Sequence, residues 1–207
     1  MKAVQPATSR PAVTTRTDLI DAGTALILEK GYNHCGLDEI LKLAKAHKGS
    51  FYHFFKSKED FGLQIIDAYA ERRLTYLDRD LDDRSRRPLE RLRRFFEGTA
   101  QRHQEAGYRK GCLFGNLGQE MADQSEAFRT RLETVLSLYR SKIAECLREA
   151  QKTGDLSPDF DADRLAGFCL NSWEGAILRM KVAKSYDPLD DFLFVMFETV
   201  FKSPQDS

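Results

Sequence analysis

Residues 46–55 read AHKGSFYHFF, and their reading decides the fold. Lys48 and Gly49 lead directly into Ser50, Phe51, Tyr52, His53, Phe54 and Phe55. Apolar rings, phosphate-seeking groups and one glycine thus fall within about three helical turns. A helix made only for burial has no use for lysine, serine, tyrosine and histidine together. A helix that enters the major groove of DNA uses them all. Its N-terminal amides favour phosphate, Lys48 adds a point charge, and Gly49 lets the backbone approach the duplex without a Cβ in the way. Ser50 can donate to a base edge or a phosphate, Tyr52 and His53 suit phosphate oxygens, and Phe51 and Phe55 anchor the helix from behind. Such contacts mostly position a protein on DNA and carry little sequence information. Taken one residue at a time, an ordinary amphipathic helix explains each of them as well.

On the N-terminal side, Thr17 is expected to cap a helix from Asp18 to Lys30, stopped by Gly31. Leu19, Ala22, Leu26 and Lys30 mark its stripe, widened by Ile20, Gly23 and Ile27. Leu37 to Ala44 has helical spacing at Leu37, Ile40, Leu41 and Ala44, and the turn KAHKG (45–49) joins it to the third helix. Three helices within about forty residues, the last two linked by a tight turn, make a helix-turn-helix.

On the C-terminal side, Ser57 caps a fourth helix with Asp60 at the N3 position of a capping box. That helix runs towards Asp80, and the charged segment 78–87 (DRDLDDRSRR) reads as its end and a connector. Pro88 opens a fifth helix that stops near Gly107. Residues 108–124 (YRKGCLFGNLGQEMADQ) carry three glycines and hold at most a short helix. A long amphipathic helix covers about 126–152 and ends at Gly154. Another starts near Asp161 and is broken by Asp187-Pro188, and a last one spans about 189–201. Strand alternation is sustained nowhere, so the fold class is all-α. The expected organisation is a disordered arm (1–16), a helix-turn-helix domain (17–63) and a ligand-binding and dimerisation body (64–207).

The chain has 207 residues, 42% hydrophobic and 31% charged, with 32 basic and 32 acidic side chains. The balance is uneven: residues 1–58 hold nine Lys+Arg against five Asp+Glu. A mildly basic end on a mildly acidic body suits a module that meets phosphate through a few contacts. No apolar run approaches the roughly 18 residues of a membrane span, and the N-terminal MKAVQPATSRPAVTTRT lacks the apolar core of a secretory signal. A cytoplasmic protein without membrane attachment is expected. The arm either reaches along DNA with Arg10 and Arg16 or is a plain tail. Cys35, Cys112, Cys146 and Cys169 show no zinc spacing, and Cys146 and Cys169 read as buried small hydrophobes. No metal and no cofactor are expected.

The span from Thr17 to about Leu63, above all KGSFYHFFKSKEDF (48–61), resembles the N-terminal domain of TetR-family transcription regulators. The resemblance implies a homodimer that binds double-stranded operator DNA, with a divergent body that usually relieves repression on binding a small-molecule inducer. Carried onto matching positions, it implies DNA contacts at Lys48, Gly49, Ser50, Tyr52, His53 and Lys58, with Gly36 as a further backbone candidate. Two positions depart from the family pattern. Lys45 stands where the turn often has glycine, and His47 where Ser, Thr or Pro usually caps the recognition helix. His47 either caps through a ring nitrogen or contacts phosphate itself.

In the body, RKGCLFGNLGQEM (109–121) followed by WEGAILRMK (173–181) resembles a subgroup of that family. The subgroup includes an acrylate-responsive regulator and the repressor of N-ethylmaleimide reductase. It implies sensing of small electrophiles or unsaturated carboxylates, with a cysteine at the position of Cys112 involved. The residues make a separate case. Cys112 follows Arg109 and Lys110 and opens a short helix, and nearby cations and a helix N-terminus both favour thiolate. The alternative is a cysteine packed below a glycine turn. Tyr108, Asn116, Gln119 and Glu120 are candidates to line a polar pocket. Trp173 is either an aromatic wall of that pocket or a core residue of the dimer-forming helix. Arg179 and Lys181 either meet a ligand carboxylate or sit in surface ion pairs. Phe192, Leu193, Val195, Met196, Phe197, Val200 and Phe201 form the expected dimer stripe. The chain is therefore read as a regulator and not an enzyme. Two alternatives remain: a thiol-dependent electrophile-scavenging enzyme, for which no base stands near Cys112 in sequence, and a helical interaction protein that does not bind DNA.

Overall fold

The first helix starts two residues before its expected origin. In the computed structural model, which describes residues 15–201, Thr15 caps α1 (Arg16–Lys30). The Thr15 hydroxyl accepts from the Asp18 N–H at 3.1 Å, and the Asp18 carboxylate accepts from the Thr15 N–H at 2.8 Å. Three residues separate cap and acid, as a reciprocal box requires; Thr17 is too close. Arg16 is thereby helical, and its guanidinium donates to Gln64 at 2.9 Å. Arg10 lies outside the described residues.

Gly31 ends α1 at φ 86°, a conformation that favours glycine. The buried face of α1 is Leu19, Ile20, Ala22, Gly23, Ile27 and Leu28. Lys30, expected on the stripe, instead pairs with Glu39 at 2.7 Å. The short helices α2 (Leu37–Leu43) and α3 (Lys48–Phe54) follow, then α4 (Lys58–Leu81). Phe51 and Phe55 lie behind α3 against Phe61, with ring centroids 5.1 and 4.7 Å apart. Helix α1 crosses α4 at Gly23, where a Cβ would stand 2.4 Å from the Phe61 ring. The Ser57 hydroxyl caps α4 through the Asp60 N–H, but the Asp60 carboxylate returns to the Lys56 N–H, one residue before the cap.

Helix α4 runs without a break across residue 63, so the three-helix unit and the body share one rigid element. The body adds α5 (Pro88–Glu105), α6 (Leu113–Met121), α7 (Glu126–Thr153), α8 (Ala162–Ala183) and α9 (Asp187–Val195), extended by a π-helical turn (Met196–Val200). Pro88 opens α5 as read from sequence. No strand occurs among the described residues, and none of their helices is long and apolar enough to cross a membrane.

The dimer stripe needs correction. Phe192, Leu193, Met196 and Phe201 are buried within this chain, because α9 folds back on α8 and α5 to complete their core. Large apolar groups left in solvent on α8 and α9 are Phe168, Leu178, Val182, Phe194 and Val195.

Candidate DNA interface and ligand cavity

The turn before α3 explains one departure from the family pattern. Lys45 sits at φ 52°, the left-handed conformation that makes glycine common at such a place. His47 precedes α3 as its cap, with no capping hydrogen bond from its ring; the expectation of a ring-nitrogen cap is not met. Lys48, Gly49, Tyr52 and His53 are exposed on α3 while Ser50 is half-buried. Gly36 is exposed at the start of α2, and its φ is −78°. A Cβ on Gly36 or Gly49 would meet nothing within 4 Å. Neither internal packing nor a positive φ calls for glycine at these two positions.

Lys58 differs from the rest of the set. Its ammonium donates to the Tyr32 carbonyl at 2.9 Å and lies 4.6 Å from the Tyr32 ring centroid. From the other side the Glu120 carboxylate accepts the Tyr32 and Asn33 N–H groups, each at 2.7 Å. The same carboxylate fills the space beside Gly31, where a Cβ would come within 2.9 Å. Glu120 was expected in a polar pocket; it is instead the tie between α6 and the end of α1.

An interior cavity lies in the body, lined by Tyr69, Arg73, Phe95, Phe96, His103, Cys112, Phe114, Tyr139, Trp173 and Glu174 with aliphatic neighbours. About 30 Å³ is open to the centre of a water-sized body, which is room for two or three waters at roughly 10–15 Å³ each. Trp173 is 3% exposed, with its ring against Phe96 and Phe192 at 5.0 and 4.9 Å. Wall and core are therefore one role. Asn116, Gln119 and Lys181 line a larger outer cleft between α1 and the body, and Arg179 lines a shallow groove on α8 and α9. Neither Arg179 nor Lys181 forms an ion pair among the described residues. Tyr108 lies at neither the cavity nor the cleft: its backbone turns at φ 57° and its carbonyl accepts from Lys184.

Cys112 does cap α6, but its surroundings overturn the expected thiolate. Burial pushes the thiol up, and the Glu174 carboxylate facing it adds to the shift. The Gly115 N–H acts against this, without completing a capping bond. Burial also raises Glu174. Arg109 and Lys110 are exposed and do not line the cavity. Cys146 and Cys169 are buried as expected, and burial raises both thiols.

The cations that matter come from elsewhere. Arg73 and Arg102 both donate to the Thr99 hydroxyl, at 3.3 and 2.9 Å, and that hydroxyl is fully buried. Neither arginine forms an ion pair among the described residues. Burial holds His103 at about 4, so it is neutral at pH 7. Its Nδ1 donates to the Lys110 carbonyl at 3.1 Å. The Tyr139 hydroxyl is buried beside Arg73 without a completed hydrogen bond. Arg73 and His103 escaped the sequence reading, and Glu174, although part of WEGAILRMK, and Tyr139, on the stripe of α7, are not among its candidate site residues.

A helix-turn-helix with an outward-facing third helix, joined to an all-α body, is the architecture of a DNA-binding regulator. The comparisons name the family. Residues 19–65 match the family of bacterial regulatory proteins of the tetR type, and residues 88–196 match the tetracyclin repressor-like C-terminal domain. This chain belongs to the TetR family of transcription regulators. It is 45% identical to the transcriptional regulator AcuR of Cereibacter sphaeroides, over 91% of this chain and 86% of that one. It is 36% identical to the HTH-type transcriptional repressor DhaR of a Mycobacterium species, over 92% and 94%. The crystal structure of the reduced form of E. coli NemR is similar at a TM-score of 0.83 and 28% identity, over 91% of this chain and 97% of that one.

Proposed function

We propose that this regulator is a dimeric repressor, released from its operator by a small electrophile or unsaturated carboxylate that enters the interior cavity. One observation carries the reading: α6 has Cys112 at its first end, on the cavity, and Glu120 at its other end, on the Tyr32 and Asn33 amides of the DNA-binding unit. Whatever moves α6 in the cavity therefore pulls on the segment between α1 and α2. A ligand that favours one position of α6 shifts the population between two spacings of the recognition helices in a dimer.

On the DNA side, Lys48, Ser50, Tyr52 and His53 supply donors from the exposed end of α3. Gly36 and Gly49 leave room for a sugar-phosphate backbone. Lys58 holds Tyr32 at rest, so a phosphate would have to draw it off that carbonyl. The dimer forms through Phe168, Leu178, Val182, Phe194 and Val195, whose exposure on two adjacent helices is costly in a monomer. Such a protein works beside the chromosome, and we place it in the cytoplasm.

The test is a gel shift on the DNA upstream of this protein's own gene, with and without acrylate and p-benzoquinone. A shift that one of these reagents reverses supports the reading. A specific shift that neither reagent touches refutes the proposed ligand class. If purified protein turned over either reagent many times per chain, the scavenging enzyme would be the better description; labelling that stops at one per chain excludes it.

A further inference from the structure

Three features of the cavity are unexplained by a simple apolar ligand. Arg73 and Arg102 converge on one neutral hydroxyl and have no carboxylate partner among the described residues. Both are half-buried, and of the two Arg73 lines the cavity, where an anion can join it. The Tyr139 hydroxyl, 6% exposed, lines the same cavity without a completed hydrogen bond. Glu174 and Cys112 line the same cavity, and each shifts the titration of the other. The carboxylate sits over Gly115, where a Cβ would lie 2.7 Å from Glu174 Oε2 and 3.9 Å from the Cys112 Cβ. Any side chain there would push acid and thiol apart. Cys112 and Glu174 also border the outer cleft, so a reagent from solvent meets this pair before it meets the interior.

We propose that Glu174 takes the proton from Cys112 as the sulfur adds to the β-carbon of a small α,β-unsaturated carboxylate, whose own carboxylate is held by Arg73 with the Tyr139 hydroxyl. The inference rests on the functional reading above and assigns its ligand site. A neutral thiol is a poor nucleophile, and the helix N-terminus alone does not ionise it here. A carboxylate made more basic by burial suits proton removal from it. As the Sγ–Cβ bond forms, the alkene π pair moves to the α-carbon and onto the ligand carboxylate, where the Arg73 guanidinium meets the added charge. The proton taken by Glu174 then passes to the α-carbon. The alkene becomes a thioether, no oxidant is consumed, and Glu174 regains its charge. Room for two or three waters fits a reagent of about five heavy atoms without movement of the walls, the size of acrylate.

The experiment is time-resolved intact-mass labelling of the full chain with acrylate and with acrylamide, its neutral counterpart, using glutathione as the solution reference. Digestion then locates the adduct. The proposal expects one adduct per chain, on Cys112. It also expects the acrylate-to-acrylamide rate ratio to exceed that of glutathione by about tenfold or more, a preference that Arg73→Gln removes. Glu174→Gln gives opposite signs for two roles. If Glu174 were only a neighbouring negative charge, its loss would ease ionisation of the thiol and labelling would accelerate. If it accepts the proton, labelling by both reagents falls at least about tenfold, and Glu174→Asp restores part of it. Faster or unchanged labelling of Glu174→Gln overturns the proposal. So does a wild-type rate ratio equal to that of glutathione, a result that needs no variant to fold. A protein that labels as expected yet never shifts DNA refutes only the regulator reading. One that shifts DNA but labels like free thiol refutes only this inference.

Discussion

At Cys112 the effect of environment outweighs the effect of sequence neighbours. Two cations precede it and a helix begins at it, yet both arginine and lysine face solvent, and the groups it meets come from α8 and the cavity wall. Solvent-exposed charges are screened, whereas a partly buried carboxylate at close range is screened less. No local pattern marks Arg73, and the motif that holds Glu174 does not show that it meets Cys112: they join Cys112 from positions 62 residues later (Glu174) and 39 earlier (Arg73) in the chain, and Arg73 in its own segment reads as one more cation on a solvated face. The recognition helix was legible because its evidence is contiguous. His103 gives a prediction at this scale. Its folded value of about 4 lies below the 6.5 of an open imidazole, so the unfolded chain binds the extra proton. The stabilising contribution is complete above pH 6.5 and is lost as pH falls towards 4, amounting to up to about 3 kcal/mol, less whatever solvent screens. His103→Gln should flatten the pH dependence of the urea-unfolding free energy between pH 6.5 and 4; an unchanged slope contradicts it. On the DNA face, Lys48→Ala should lower the salt slope of operator binding by about 1, read by fluorescence anisotropy at several salt concentrations. A slope equal to wild type would remove Lys48 from the phosphate contacts.

At the level of elements, the start of α5, the end of α7 and the start of α8 followed directly from Pro88, Gly154 and Asp161, whereas α8 ends at Ala183 and the Asp187-Pro188 pair expected to break it opens α9 instead. The start of α1 did not, because two threonines compete and only Thr15 has an acid three residues on. The dimer stripe on α9 misled for a different reason: a stripe in sequence does not reveal whether its partner is the same chain or another. Close crossings were equally hidden. Gly23 looks like an ordinary helical glycine, but it lets α1 rest on Phe61, and Gly23→Ala should cost about 1–3 kcal/mol of stability, measurable by urea unfolding. In the proposed mechanism, helix α6 is the element on which regulation turns. Glu120→Gln removes the charge that holds two amides of the α1–α2 segment, and charge-assisted bonds of this kind are worth about 1.5–3 kcal/mol. The variant should stay folded, keep its adduct chemistry at Cys112 and lose most of the coupling to DNA. Loss of DNA binding without ligand would instead make Glu120 part of the resting architecture alone.

At the scale of the whole molecule, the fold places two functions on one frame. Helix α4 belongs to both units, α6 touches both, and the Tyr32 segment is held between Lys58 and Glu120. In the proposed dimer, the exposed apolar face of α8 and α9 is the interface. Val182→Glu together with Phe194→Glu should yield a monomer in sedimentation, with operator affinity reduced more than tenfold because two half-sites are no longer bound together. A dimer that survives both changes places the interface elsewhere. The central claim is that chemistry in the cavity is read out at the recognition helices. Its most direct test is the affinity for operator DNA, measured by anisotropy before and after saturation with acrylate, in wild type and Glu120→Gln. The account predicts at least about a tenfold loss of affinity in wild type, equal to about 1.4 kcal/mol of coupling, and little change in the variant. An affinity that acrylate leaves untouched in wild type, with Cys112 fully modified, would contradict it.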